Sequence, residues 1–190
     1  MTNTVMNVVA SSMCFIGAGS EWFWAMLQFV AILISLFFIW RQLKIQNNTH
    51  LVSTLNLLNK DWNSTEMLKH RKETCEKWKT GKTDFDTGAQ AIADFMEDLA
   101  IYEKEQVIPT DKMWYSFSWY IGYYWNMFKD EIPKVQNEYK DKTLWSEFPK
   151  LVKTMNDIDI GKGISDCGKS DSEMSKFYNV EIAGYACKDS

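Results

Sequence analysis

WFWAMLQFVAILISLFFIW, residues 22–40, contains no charged side chain and only two polar ones, Gln28 and Ser35. A helix rises about 1.5 Å per residue, so this stretch makes a helix of roughly 28 Å, close to the ~30 Å hydrocarbon core of a bilayer. Most of its residues are Leu, Ile, Phe or Val, which favour membrane insertion by roughly 0.3–0.6 kcal/mol each. The sequence therefore predicts a transmembrane helix.

The residues flanking this stretch predict how it is anchored and oriented. Trp22 and Trp24 lie at one end and Trp40 at the other, where membrane helices are enriched in tryptophan. All 21 Lys and Arg follow residue 40, beginning with Arg41 and Lys44. Because cytoplasmic flanks carry the excess of these cations, we expect the N-terminus outside and the C-terminal domain in the cytoplasm.

Composition argues against several classes of function. The net charge of −4 gives no polybasic surface for nucleic acid or anionic lipid. Cys14, Cys75, Cys167 and Cys187 form no CxxC pair, and only two histidines are present. We therefore expect no metal and no cofactor, and cytosolic cysteines that are reduced thiols. The sequence has no hydrolase, zinc-protease, P-loop or dinucleotide motif, so a non-enzymatic protein is predicted.

Helical spacing predicts an all-α fold, in which the transmembrane helix continues into a cytosolic antiparallel helical bundle. Ser64 is the predicted N-cap of a helix over 65–79, and further helices are expected at about 88–105, 111–129 and 143–155. The predicted domains are a short extracytoplasmic N-terminus (1–20), the membrane helix and its cytoplasmic exit (21–47), the bundle (48–158) and a loosely structured tail (159–190). A short strand is expected at about 177–182.

Gln28, Ser35 and Gln42 follow one another at intervals of seven and share one face of the helix. Polar side chains inside a membrane usually face other helices or a water-filled cavity. With one span in the chain, the other helices are expected to come from further copies. The sequence thus predicts a homo-oligomer in which this face packs against the helices of other copies or lines a pore. The simpler interpretation is that two polar residues share a face by chance.

An aromatic helix, WYSFSWYIGYYWNMF at 114–128, carries aromatic residues around most of its circumference. Its predicted core face consists of Trp114, Phe117, Ile121, Trp125 and Phe128. Tyr115, Trp119 and Tyr123 point elsewhere and are predicted to contact an oligomer partner or another protein, because Trp and Tyr dominate binding hot spots. No basic residue interleaves the stretch, so direct nucleic-acid binding is not expected.

Two polar groups admit both a chemical and a structural interpretation. The acids Asp94, Glu97 and Asp98 could bind a cation or could form a solvated helix face. His70 and Arg71 could serve acid–base chemistry with a third group, or could have surface or structural roles.

The runs LISLFFIWRQLKIQ (33–46), FMEDLAIYEKEQVIPTDKMWYSF (95–117) and YYWNMF (123–128) resemble a bacterial family with one N-terminal span and a helical cytosolic domain. The architecture also resembles the membrane accessory protein of RNA-targeting type VI CRISPR systems. That resemblance implies an oligomeric pore with a divergent nuclease-like helical domain. Helical nucleases of that group use an Arg followed by four to six residues and a His. This chain lacks that pattern, since no histidine follows Arg71 and the interval from Arg41 to His50 is too long.

The sequence therefore predicts a self-assembling single-pass membrane protein. The resemblance implies a location in the bacterial inner membrane and a pore or membrane-perturbing role in antiviral defence. The alternative is a non-pore tether in the lipid bilayer whose helical domain docks a cytosolic effector protein. A second alternative is a membrane-tethered divergent helical nuclease using His70 and Arg71.

Overall fold

A computed structural model describes residues 21–164 and 170–186, and every regular element in these ranges is an α-helix. The helices are α1 (Glu21–Trp62), α2 (Thr65–Lys79), α3 (Thr87–Lys104), α4 (Thr110–Phe128), α5 (Ile132–Tyr139), α6 (Phe148–Gly161) and α7 (Asp171–Ala186). The all-α class is confirmed for this part of the chain, whereas the antiparallel bundle stays a prediction. The expected extracytoplasmic segment 1–20 lies outside the described residues, as do Cys14, Cys167 and Cys187.

The chain divides into two compact units, residues 1–50 and residues 51–190. In the first unit, the apolar part of α1 is exposed on every side, and none of it is buried by protein. A helix that is apolar all round and lacks protein cover matches a lipid environment, whereas a core helix would be packed against other helices. α1 is therefore long and apolar enough to span a membrane.

In the second unit, local signals set where the helices begin. The Ser64 hydroxyl accepts a hydrogen bond from the Met67 N–H at 3.2 Å, which confirms the predicted cap of α2. Asp86 caps α3 in the same way, because its carboxylate accepts the Ala89 N–H at 3.1 Å. Pro109 precedes α4, so Thr110 is the first helical residue.

The core of the second unit forms where α2 contacts α3 and α7, α3 contacts α4 and α6, and α4 contacts α6. Aromatic side chains supply much of it, and the largest that are almost completely buried are Trp62, Phe117, Tyr124, Phe128, Phe148 and Phe177. On α4, the predicted core residues Phe117, Ile121 and Phe128 are buried, while Trp114 and Trp125 are half-buried against them.

Local backbone features mark where α5 and α6 begin. Pro133 lies in the first turn of α5, where its missing N–H leaves no helical hydrogen bond unmade. The helix expected from residue 143 begins at Phe148, after the turn that contains Trp145 in a left-handed conformation (φ 51°).

The prediction of a loosely structured tail is wrong for residues 171–186, which form α7 and pack against α2. The predicted strand at 177–182 is also wrong, because these residues are helical. Met174, Phe177 and Glu181 are the buried residues of α7, spaced as on one face of a helix. An acid stands where an apolar residue would normally complete that face, and so the helical pattern was hidden.

We expect Phe177→Ala to lower the free energy of unfolding of the helical domain by about 3–5 kcal/mol, because it removes a fully buried ring. Urea denaturation in detergent, followed by circular dichroism, measures this change. The matched control is Val180→Ala, at an exposed position of the same helix, with an expected change of at most about 0.5 kcal/mol. Equal effects of the two changes would contradict the packed position of α7.

Candidate functional site

A buried ion pair joins α2 to α7 in the second unit. Arg71 and Glu181 each expose only 5% of their surface. The Arg71 Nε donates to Glu181 Oε2 at 2.6 Å, and Nη2 donates to Oε1 at 2.7 Å. This is the bidentate geometry in which guanidinium and carboxylate interact most strongly.

Backbone and aromatic groups complete the surroundings of this ion pair. The Arg71 Nη1 donates to the carbonyl of Trp62 at 3.1 Å; Trp62 ends α1, so its carbonyl has no partner within the helix. The guanidinium carbon lies 4.1 Å from the Trp62 ring centroid and 5.0 Å from that of Tyr120, in range for cation–π attraction. The Tyr124 hydroxyl donates to Glu181 Oε2 at 2.9 Å. We call Arg71, Glu181, Tyr124 and the Trp62 carbonyl the clasp.

Burial and neighbouring groups alter the pKa values of Arg71, Cys75 and Tyr124 in and beside the clasp. Burial works against the charged form of Arg71, but the hydrogen bond to Glu181 and the neighbouring Tyr124 outweigh it, so the pKa of Arg71 is raised. Burial, helped by the Glu181 charge, raises the pKa of the adjacent Cys75 thiol. Burial also raises the pKa of Tyr124 well above its ordinary value. The thiol and the phenol therefore stay protonated, which suits a structural role rather than nucleophilic chemistry.

His70 and Arg71 do not come together as an acid–base pair. Arg71 is occupied by Glu181, while the His70 Nε2 lies 3.9 Å from the exposed Glu66 carboxylate. An Arg that is buried and doubly bonded is not available to a phosphate. This geometry does not favour the nuclease alternative.

The acids of α3 hold α6 in place. Asp94 Oδ1 accepts the indole N–H of Trp145 at 2.7 Å. The Glu97 carboxylate accepts the backbone N–H groups of Glu147 at 3.0 Å and Phe148 at 2.7 Å, and so caps the N-terminus of α6 from another helix. Both acids therefore accept hydrogen bonds from the segment that leads into α6, and Asp94 is also exposed, as on a solvated helix face.

Metal chemistry finds no support in the described ranges, where no group of three or more His, Cys, Asp and Glu side chains could hold an ion. Asp98, the third acid of the α3 cluster, is exposed. Its pKa is raised by partial burial of the carboxyl and by the Asp94 charge.

The three predicted contact residues of α4 have different surroundings. Tyr123 is 9% exposed, and its ring stacks on Phe177 with centroids 4.6 Å apart and planes 6° apart. α7 of the same chain therefore covers Tyr123 and leaves little of its ring for another molecule. Trp119 also contacts Phe177 but remains 38% exposed, and Tyr115 is 73% exposed.

A cleft between α4 and α6 was not suggested by the sequence patterns. Trp114 lines it and donates its indole N–H to Asp159 at 2.6 Å. Lys162 lies over the Trp114 ring, 3.2 Å from its centroid. The volume of about 110 Å³ is well below the ~300–1,000 Å³ of typical ligand pockets.

On α1, the predicted polar residues Gln28, Ser35 and Gln42 are all exposed. The Ser35 hydroxyl donates to the Ala31 carbonyl at 2.8 Å, so it is satisfied within its own helix. The Gln28 amide has no hydrogen-bond partner among the residues that the structure describes.

The predicted membrane anchors Trp22, Trp24, Trp40, Arg41 and Lys44 are likewise exposed. The Lys44 Nζ lies 5.8 Å from the Trp40 ring centroid. A lysine next to a tryptophan suits the boundary between lipid and water.

We expect Glu181→Gln to lower the free energy of unfolding by about 3–5 kcal/mol, because it leaves Arg71 buried without a counter-charge. Replacing both partners, Arg71→Met with Glu181→Leu, should recover much of the loss, since a buried ion pair and an apolar pair of similar volume are often equally stable. Urea denaturation measures the free energy of unfolding of the parent and of each variant.

The control for this prediction is Glu76→Gln, which removes the same charge at an exposed position of α2. It should change the free energy of unfolding by at most about 0.5 kcal/mol. A Glu181→Gln variant as stable as the parent would contradict the role of the clasp.

No protein-family model, curated protein or solved structure matches this chain, so the family resemblance stays a prediction.

Proposed function

We propose that this chain is a single-pass membrane protein that self-associates through the face of α1 carrying Gln28, and that it holds its helical domain at the cytoplasmic surface. The observation that carries the proposal is the exposed, unpartnered amide of Gln28 within an apolar helix. Gln28 lies three residues from the middle of 22–40, or about 4.5 Å along the helix axis. An amide at that depth has no water to bond with.

The cost of the Gln28 amide in hydrocarbon supports self-association. A polar group without a hydrogen bond is unfavourable in an apolar medium, and membrane helices relieve this by bonding across a helix–helix contact. Gln28 of one copy and Gln28 of the next can each donate and accept, so a second copy of the chain satisfies both. Ala31 on the same face is small and allows the two helices to approach closely.

The charge distribution supports the proposed orientation. Arg41 and Lys44 follow the apolar stretch at once, and the only charged residue among the first 40 is Glu21. An excess of Lys and Arg beside a span marks its cytoplasmic end. In this orientation the second unit, with its clasp, lies in the cytoplasm as a helical domain, whose antiparallel arrangement is part of the proposal.

A partner-docking role is a second candidate, supported by the exposed parts of Tyr115 and Trp119 on α4. In that case the membrane helix serves as a tether and the domain recruits a cytosolic effector protein. The pore implied by the resemblance needs a polar line facing water, and the Ser35 hydroxyl is already bonded to its own backbone. We therefore put forward self-association as the function, with ion conductance as a separate question.

We expect Gln28→Leu to weaken self-association in detergent micelles roughly tenfold, corresponding to about 1.4 kcal/mol. Sedimentation equilibrium of the purified full-length chain measures the association constant. Ser35→Ala is the matched control, since its hydroxyl needs no second helix, and it should leave the constant within about twofold. Conductance of liposomes containing the parent chain then separates a pore from a non-conducting assembly. A parent chain that is monomeric at all concentrations would refute the proposal.

We expect protease added to inside-out membrane vesicles to digest the helical domain, and protease added to right-side-out vesicles to leave it intact. The reason is the excess of Lys and Arg after Trp40. An immunoblot against the C-terminal domain reads the result, with detergent-permeabilised vesicles as the control. Digestion in right-side-out vesicles would reverse the orientation.

A further inference from the structure

Two sets of exposed residues repeat along α1 at intervals of seven. Gln28, Ser35, Gln42 and Thr49 form the polar set, and Ala31, Phe38 and Ile45 each follow a polar residue by three positions. Alternating steps of three and four are the a and d positions of a coiled coil. We call the seven residues of these two sets the seam; all of them are exposed on α1.

We infer that copies of this chain pair along the seam as a parallel, in-register, left-handed coiled coil that starts inside the bilayer and continues beyond Arg41. The inference rests on the proposed self-association and adds to it the partner surface, the direction and the register. A repeat of exactly seven residues underlies the left-handed supercoil, because the α-helix itself has 3.6 residues per turn.

Self-complementarity supports a second copy of this chain as the occupant of the seam. All copies inserted by the same rule cross the membrane in the same direction, so their α1 helices are parallel. When the two helices have no offset along their axes, each polar residue of the seam faces the same residue of the other copy, for example Gln28 against Gln28. An offset by half a repeat would place polar residues against Phe38 and Ile45 and leave amides unpaired, which disfavours that register.

The two halves of the seam suit the two solvents through which it passes. Inside the bilayer, lipid is as apolar as any side chain, so helices associate through polar contacts and close packing. Gln28 supplies the polar contact, while Ala31 and Ser35 are small, and the Ser35 hydroxyl is already satisfied by the Ala31 carbonyl. These residues can pack closely without leaving a hydroxyl unpaired.

Beyond Arg41 the helix enters water, where burial of apolar surface drives association. There the d position is Ile45, which is 59% exposed and gains from being covered by a second copy. The same spacing continues in the sequence to Val52 at d and Asn56 at a. The apolar d positions thus favour association of the helices in water, and the polar a position Gln28 favours it inside the bilayer.

Leu43 provides an internal comparison, because it is apolar, 56% exposed and only two residues from Ile45. In the heptad it occupies position b, away from the contact. For parallel helices with axes about 10 Å apart, the Cα atoms of paired d residues are roughly 6 Å apart, and those of paired b residues roughly 13 Å apart. Only the first distance allows a disulfide, which needs about 4.4–6.8 Å.

Disulfide cross-linking of the full-length chain in membrane vesicles tests the inference. The background carries Cys14→Ser, Cys167→Ser and Cys187→Ser and keeps Cys75, which is fully buried. Ile45→Cys and Thr49→Cys are the seam variants, and Leu43→Cys is the matched control. Under a mild oxidant we expect both seam variants to form covalent dimers at least fivefold faster than the control.

The possible outcomes separate this inference from the proposed function. Equal rates at residues 43 and 45, or a faster rate at 43, would overturn the seam. The mass of the untreated parent in detergent is measured in parallel. An oligomeric parent without faster cross-linking at the seam refutes the seam alone, whereas a monomeric parent refutes self-association as well.

Discussion

The Arg71–Glu181 ion pair is the contact on which the helical domain depends. It joins α2 to α7 across 110 positions of sequence, bonds the carbonyl that ends α1, and receives the hydroxyl of Tyr124 from α4. Removing two charges from water is costly, so such a pair is tolerated only when its remaining hydrogen-bonding groups are satisfied. Here the end of α1 and the Tyr124 side chain of α4 supply those partners, and the charge pair therefore specifies how these segments meet α2 and α7.

Around this ion pair, aromatic rings determine how α7 packs against α4. Phe177 fits against Trp119, Tyr123 and Tyr124, with ring centroids 4.6–5.2 Å apart. Without α7, the clasp would lose its carboxylate and α4 would expose a broad aromatic surface. The excess of aromatic residues on α4 is thus largely explained within the chain, and Tyr115 and part of Trp119 are what remains for another molecule.

The two units of the chain follow different physical rules. In the second unit, apolar side chains leave water by packing against one another, and polar side chains such as Glu97 cap helix ends that would otherwise lack partners. In residues 22–40 of the first unit, apolar side chains are exposed to their surroundings, and Gln28 and Ser35 are the polar exceptions. Similar hydrophobic residues therefore form a core in one unit and the surface of a helix long and apolar enough to span a membrane in the other.

Local features of the sequence were enough to predict much of the helical framework. The predicted cap at Ser64 acts within three residues, and the predicted bounds of α3 and α4 agree with the structure to within one residue, because helix signals are short-range. The apolar stretch 22–40 is equally local, since length and composition alone decide whether a helix can span a bilayer. Nothing about these features requires knowledge of distant residues.

Only the tertiary structure decided the roles of the polar residues. Arg71, Asp94 and Glu97 look alike in the sequence, as charged residues on amphipathic helices, yet one forms a buried ion pair, one binds an indole N–H and one caps a distant helix. α7 was missed for the same reason, because Glu181 is unfavourable in a core until Arg71 is beside it. The physical cause is that burial of a charge depends on its partner, and these partners lie 50 to 110 residues away. The sequence by itself determined α2, α3 and α4 and the apolar stretch long enough to span a membrane; the fold determined which charges meet.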